Sequence, residues 1–112
     1  MAVAFEWLND DNLVISDTAE IIYTNPASTI TNISGIYLHN THSSAITVAL
    51  NLCPAAAAAS DANQIYEAEL DANETVAIND IPIILHTESD NLTAVAGTDA
   101  KVNIFVFGSK QT

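Results

Sequence analysis

Short apolar segments alternate with polar and turn-forming residues along the whole chain. In the clearest segment, residues 45–52, Ile46, Val48 and Leu50 would lie on one face of an extended strand, with small or polar residues on the other. This period of two is typical of a β-strand that buries one face. The pattern therefore predicts a half-buried strand here.

The segment near the carboxyl end differs because both of its faces are apolar. Val102, Ile104 and Val106 share one predicted face, while Phe105 and Phe107 share the other. Further segments rich in Ile, Val and Thr predict strands at residues 13–15, 20–24, 30–39, 65–70, 75–78, 83–86 and 92–96.

Turn signals separate these segments. Residues 40–44 are expected to join two long strands as a hairpin loop, and residues 97–99 to open the last hairpin. Within the segment 30–39, Ile33 is out of phase with its apolar neighbours, and Gly35 follows it closely. A glycine beside a phase slip predicts a β-bulge or a bend.

One segment favours helix over strand. Pro54 precedes five alanines, so a short helix is possible near residues 55–63, where no apolar stripe of helical spacing accompanies it. We interpret it as a connection. The predicted fold class is all-β, a β-sandwich or jelly roll of about eight to nine antiparallel strands, with a closed barrel as the alternative.

The length of 112 residues predicts one domain, residues 13–112, preceded by an N-terminal arm, residues 1–12. Fourteen acidic residues against two lysines give a formal net charge of −12. Such a surface would be repelled by nucleic acid and by anionic membranes. The first residues lack a basic start followed by a long apolar run, so they do not read as a secretory signal.

Candidate chemistry is sparse. His39, His42 and His86 could take part in a metal shell, but their spacing matches no common metal motif, and loop histidines are the simpler interpretation. Cys53, the only cysteine, cannot form an internal disulfide and is predicted to be a buried structural thiol. No nucleophile motif or phosphate-binding loop is present. We expect no enzyme activity, no metal and no cofactor.

Aromatic residues are more informative. Phe5 and Trp7 lie in the N-terminal arm, where the arm could add an edge strand that covers the domain's own core, or pack on a neighbouring subunit. Phe105 and Phe107 add apolar surface that one small sandwich has little interior to accommodate. These four residues are the candidate interface.

Several stretches together suggest a family. The sequences IIYTNPA at 21–27, IYLHNT at 36–41, SSAITV at 43–48 and NETV at 73–76 cover much of the chain. They resemble small β-sandwich virion proteins of tailed bacteriophages. Residues 90–94 with 101–104 resemble the closing hairpin of that family. Asn73 stands where that family usually has glycine.

The resemblance implies a virion structural protein made in the host bacterial cytoplasm, and a head decoration or cement protein above all. Its expected partners are further copies of itself, in a trimer, and the major capsid protein or another virion protein. A tail or neck component is one alternative. A carbohydrate-binding module is another, with Trp7, Tyr23, Tyr37 or Tyr66 stacking on sugar rings. Three or more aromatic residues on one exposed face would favour sugar binding.

Overall fold

The computed structural model describes the backbone of residues 3–79 and 83–112, and the side chains of these residues except 3–5 and 56. The described residues form ten strands in two antiparallel sheets. Sheet A contains β1 Val3–Trp7, β2 Val14–Ile15, β4 Ile30–Asn40, β7 Thr75–Ile78, β8 Ile83–Leu85 and β10 Val102–Gln111. Sheet B contains β3 Glu20–Thr24, β5 Ile46–Cys53, β6 Gln64–Leu70 and β9 Asn91–Ala96.

The two halves of the chain pair in reverse order. β2 pairs with β10, β3 with β9, β4 with both β7 and β8, and β5 with β6, every pair antiparallel. This nested pairing is the winding of a double-sheet jelly roll. The predicted all-β sandwich is confirmed, and the two sheets do not close into a barrel. The nine segments predicted as strands correspond to β2–β10, and β1 lies in the predicted arm and forms an edge strand beside β10.

Two predicted hairpins are wrong. Residues 40–44 link β4 of sheet A to β5 of sheet B, and residues 97–99 link β9 of sheet B to β10 of sheet A. Both connections cross from one sheet to the other. Alternation predicted which face of each strand is buried, but strands of opposite sheets bury their faces in the same core. The apolar pattern is therefore identical for a hairpin and for a crossover.

The predicted bulge is confirmed. Gly35 pairs with Phe107 and Ile33 pairs with Gly108, which leaves Ser34 as an extra residue on β4. An extra residue on one strand sharpens its twist and restores the inward direction of the next apolar side chain. Ile33 and the residues after the bulge can therefore both face the core.

The core lies between the sheets. Its members are the inward residues of the central strands, most of them completely buried: Ile33, Ile36, Leu38, Val48, Leu50, Leu92, Val102, Ile104 and Val106. Burying apolar surface contributes about 25 cal/mol per Å², so these side chains dominate the folding free energy. Among the described residues, no helix is long and apolar enough to cross a bilayer.

Residues 54–63 form a cover over the outer face of sheet B. The predicted short helix is replaced by two 3₁₀ turns, Pro54–Ala56 and Asp61–Asn63, joined by extended chain. The Asn51 side-chain amide donates to the Ser60 carbonyl at 2.8 Å and to Asn63 Oδ1 at 2.8 Å. A continuous helix does not form because the backbone at Ala57 (φ −66°, ψ 150°) and at Ser60 (φ −155°, ψ 172°) is extended.

Candidate binding surface on sheet A

Four aromatic residues lie together on the outer face of sheet A, and we call them the aromatic row. Phe105 and Phe107 point outward because Ile104 and Val106, which alternate with them, are buried. Trp7 of β1 is the direct cross-strand partner of Phe107. Tyr37 of β4 is the partner of Phe105. Three strands, β1, β10 and β4, thus supply the row.

Each ring of the row lies close to at least one other ring. The ring centroid of Trp7 lies 5.8 Å from that of Phe105 and 6.4 Å from that of Phe107. The ring centroids of Phe107 and Tyr37 are 5.7 Å apart. Aromatic pairs at these separations contribute about 0.5–1.5 kcal/mol beyond their burial. Across the strands, the row ends at Trp7 on β1 and at Tyr37 on β4. Both ends are still open to solvent, since Trp7 is 40% exposed and Tyr37 is 44% exposed.

A buried amide fixes the position of Trp7. Asn9 Oδ1 accepts hydrogen bonds from the Trp7 indole N–H at 3.0 Å and from the Val106 backbone N–H at 2.8 Å. Asn9 Nδ2 donates to the carbonyls of Asn12 and Ile104, each at 2.9 Å. These four bonds use the full capacity of the amide. The indole is therefore held against the row before any partner arrives.

A notch lies at the Tyr37 end of the row. It is an open, shallow cleft of about 390 Å³ lined by Ser34, Gly35, Tyr37, Asn79 and Phe107. A Cβ placed on Gly35 would meet no atom within 4 Å, so the glycine leaves free space rather than relieving a clash. The notch offers two aromatic rings, the hydroxyls of Ser34 and Tyr37 and the Asn79 amide to a ligand.

The outer face of sheet A carries no formal charge in its described strands. Apart from His39, the only acidic and basic residues in these strands are Glu6 and Lys110, whose side chains form an ion pair at 2.7 Å. Glu6 precedes Trp7, so alternation directs it to the opposite face. The hydrogen bond that the Lys110 ammonium donates to the Glu6 carboxylate favours the charged form and raises the pKa of Lys110. In a chain of net charge −12, this neutral face is distinctive.

Apolar and uncharged polar residues surround the row. By the strand register, the neighbouring outward positions are Val14, His39, Thr75, Ala77, Ile84 and Asn103. Val14 and Ile84 are 40% and 51% exposed, which extends the apolar area on both sides. Most outward positions of an antiparallel sheet that faces water are expected to be polar.

The structure brings together three of the four predicted interface residues, Trp7, Phe105 and Phe107. The side chain of Phe5 lies outside the described residues; its backbone pairs with Ser109. Tyr37 was predicted only as a sugar-stacking candidate. Its place in the row depends on the pairing of β4 with β10, which local sequence does not reveal.

The other tyrosines lie elsewhere. Tyr23 and Tyr66 are half-buried and pack against the core between the sheets. The Tyr23 hydroxyl lies 3.1 Å from Thr31 Oγ1. Burial, followed by the nearby Glu74 carboxylate, raises the pKa of Tyr66. Neither ring is presented with the aromatic row.

Titratable groups form no obvious reactive centre in the described part of the chain. His39 Nδ1 lies 2.7 Å from Thr75 Oγ1, and His42 Nδ1 accepts from a backbone N–H in its own loop. Within residues 3–79 and 83–112, no three His, Cys, Asp or Glu side chains are grouped as metal ligands. Cys53 is buried beside Thr93, as predicted.

No protein-family model matches the sequence, and no curated protein is similar to it. Among solved structures, a chain of Bacillus endospore appendages, described as disulfide-linked pili, matches 99% of this chain and 88% of its own length. The TM-score is 0.55 and the identity is 15%. A similarity at this identity indicates a shared fold and nothing more.

Two weaker similarities involve much longer chains. One is to the CBM22-1 and GH10 modules of Clostridium thermocellum endo-1,4-beta-D-xylanase 10B with xylohexaose, with a TM-score of 0.36, 10% identity, and coverage of 98% of this chain and 24% of that one. The other is to infectious bursal disease virus, Gt strain, with a TM-score of 0.27, 9% identity, and coverage of 97% and 29%. Scores this low carry no argument about function.

Proposed function

We propose that this protein is a structural subunit of a multi-copy protein assembly and that a neighbouring protein chain covers its aromatic row in that assembly. The observation that carries the proposal is the aromatic row on an uncharged face of a strongly acidic chain. The cores of protein interfaces are depleted of charge and enriched in aromatic residues. The outer face of sheet A has this composition.

Two exposed rings on this face can anchor a partner. A Trp side chain has up to about 250 Å² of surface, so roughly 100 Å² of Trp7 is still open to a partner at 40% exposure. At about 25 cal/mol per Å², covering it would contribute roughly 2.5 kcal/mol. Tyr37 offers a similar amount. Two such anchors supply the central contacts of a typical interface.

The particular assembly that we propose is a bacteriophage virion, with the protein as a decoration or cement protein that binds and stabilises the head shell. The sequence resemblance supports this proposal, and the double-sheet fold is compatible with it. The acidic remainder of the surface would suit a basic patch on the shell. We propose no enzyme activity, cofactor or metal for the protein.

The contact would be noncovalent. The endospore appendages that share this fold form disulfide-linked pili. In this chain the only cysteine, Cys53, is fully buried behind the cover of residues 54–63. Assembly by disulfide exchange would require that cover to open. Apolar contacts on sheet A need no such rearrangement.

Immunogold labelling tests the virion proposal. Antibodies raised against the purified chain are applied to phage particles from the source of the sequence, and the labelled surface is located by electron microscopy. Labelling over the head surface is expected. Labelling of a tail or neck would identify the protein as a tail or neck component instead of a decoration protein. The absence of label from every particle would overturn the virion proposal.

A paired set of variants tests the role of the face. Trp7→Ser with Tyr37→Ser should strongly weaken cosedimentation with particles that lack the protein, because neighbouring protein in the assembly can no longer cover the row. Ile21→Ser is the matched control, since Ile21 is equally exposed but lies on β3 of sheet B. Equal binding by the double variant and the wild type would contradict the proposed role.

A second candidate function is carbohydrate binding. Four aromatic residues on one exposed face, beside a notch that contains the Ser34 hydroxyl and the Asn79 amide, match the requirement for stacking and hydrogen bonding to sugars. Against it, the Trp7 indole N–H is already bonded to Asn9. Affinity electrophoresis in xylan, cellulose and chitin gels would support this function if migration slowed for the wild type and not for Trp7→Ser with Tyr37→Ser.

A further inference from the structure

We infer that the aromatic row docks on the same face of a second copy of this chain, in a two-fold, face-to-face contact. The inference rests on the proposed function, because it names the partner of the proposed interface. Three features of the described structure carry it: the distribution of charge, the dimensions of the face, and the presence of a projection and a notch side by side.

Charge selects the partner. The described strands of sheet B carry Glu20, Glu67 and Glu69, and the turns hold most of the other acids. Two copies that met through those surfaces would place like charges together, which costs several kcal/mol. The outer face of sheet A is where the described strands of two copies can meet without opposing acids. A basic partner would instead be drawn to the acidic surfaces.

The dimensions of the face suit a dimer. β4 has 11 residues and β10 has 10, so at about 3.3 Å per residue the face is roughly 35 Å long. Four strand positions across sheet A, spaced by about 4.8 Å, give a width of roughly 19 Å. The product, roughly 650 Å² before side-chain relief is counted, approaches the 800 Å² or so that each partner buries in a stable interface.

The shape is self-complementary. Tyr37 projects from the face at 44% exposure, and the notch beside Gly35 has a volume of about 390 Å³. In a two-fold contact, a residue that touches a given site on the partner is matched by the reverse contact. Tyr37 of each copy would enter the notch of the other. The contact then closes on itself as a dimer.

This geometry differs from the trimer that the sequence resemblance implies. A trimer uses two different patches on each subunit in a head-to-tail contact, whereas a projection and its notch on one face favour the two-fold arrangement. Dimers formed in this way would attach to a shell through the acidic surfaces of both copies, so loss of the row would weaken particle binding by leaving single copies with one attachment each. Because each copy carries a charge of −12, added salt should strengthen the dimer by screening repulsion.

Sedimentation velocity of the full chain tests the inference. The wild type should shift from monomer to dimer as its concentration rises toward about 100 µM, and at lower concentrations when salt is added. Gly35→Val should weaken the dimer by roughly tenfold or more, because it fills the notch. A Cβ at this position meets nothing within 4 Å, so the variant should fold, which circular dichroism checks.

Tyr37→Ser should weaken the dimer to a similar extent, and Ile21→Ser, the control on sheet B, should leave it unchanged. A monomer at every concentration and salt level, a trimer, or a Gly35→Val protein that dimerises like the wild type would overturn the inference. If the protein formed no dimer but still bound particles, and lost that binding when Trp7 and Tyr37 were replaced, the proposed function would stand without the dimer. A dimer that bound no particle would support the inference and count against the virion role.

Discussion

On sheet B the outer face carries buried polar side chains, and residues 54–63 of the same chain lie across it. On sheet A the outer face carries aromatic rings, and no segment in the described part of the chain crosses it. Asn51, Asn91 and Thr93 on the first face are 5%, 1% and 6% exposed, whereas Trp7 and Tyr37 on the second are 40% and 44% exposed.

The difference separates the contacts that hold the fold together from those available to a partner. Buried polar groups must find hydrogen-bond partners, and a short local segment can supply them. Aromatic rings need area, which a ten-residue segment of small residues does not provide. We therefore expect substitutions of the covered polar residues on the outer face of sheet B to change stability, and substitutions in the aromatic row on sheet A to change association.

The largest effect is expected where the bulge sets the geometry of the row. A Cβ added to Gly108 would lie 2.1 Å from the Asn32 carbonyl oxygen, which belongs to the paired strand. Gly108→Ala should destabilise the fold by about 3 kcal/mol or more in urea titrations. Gly35→Ala, on the other side of the bulge, should cost nothing. Equal melting of the two variants would show that the register at the bulge is wrong.

A smaller effect is expected from the cover on sheet B. Asn51→Ala removes both amide hydrogen bonds to the cover and leaves the Ser60 carbonyl without its donor, so stability should fall by about 2 kcal/mol. Thr47→Ala, at an exposed position on the same strand, should change stability by less than about 0.5 kcal/mol. Chemical denaturation measures both. If the two substitutions cost the same, the cover contributes nothing to stability.

The smallest effect depends on pH. Burial alone would raise the pKa of Asp90, but hydrogen bonds from the backbone N–H groups of Ala55, Thr87 and His86 outweigh it and lower the pKa. A carboxylate with a lowered pKa stabilises the fold above its unfolded pKa, about 3.9, and loses that contribution as the pH falls through its folded value. The stability advantage over Asp90→Asn should shrink below about pH 4.

The control for this pH series is Asp71→Asn, a substitution at an exposed carboxylate on a turn. Its difference from the wild type should vary little across the same range, because surface charges contribute little to stability. Parallel pH profiles for the two variants would contradict the role of Asp90 in fastening the cover.

Local pattern was sufficient to predict most strands and their buried faces. Val48 and Ile104 were assigned to the interior by alternation alone, and both are completely buried. The slip at Ile33 next to Gly35 was enough to predict the bulge. These features depend on residues that are close together in the sequence, where backbone geometry dictates the direction of each side chain.

The pairing of strands could not be predicted in the same way. Tyr37 and Phe105 are cross-strand partners on β4 and β10, which lie far apart in the sequence. The alternation of buried and exposed residues is the same in both sheets, so it does not reveal this pairing. The role of Asn9 was equally hidden, because one of its four hydrogen bonds reaches the Ile104 carbonyl 95 residues away. Trp7, Phe105 and Phe107 were identified as interface candidates, but their arrangement in one row required the structure.

The central claim, that protein covers the aromatic row in the assembled state, can be tested with Trp7 itself, the only tryptophan in the chain. We predict that its emission shifts to shorter wavelength and its quenching by acrylamide decreases when the protein assembles on particles or is concentrated. A Trp7→Phe, Ile21→Trp variant moves the reporter to sheet B and should remain quenchable. Unchanged quenching of Trp7 in an assembly that demonstrably contains the protein would contradict the account.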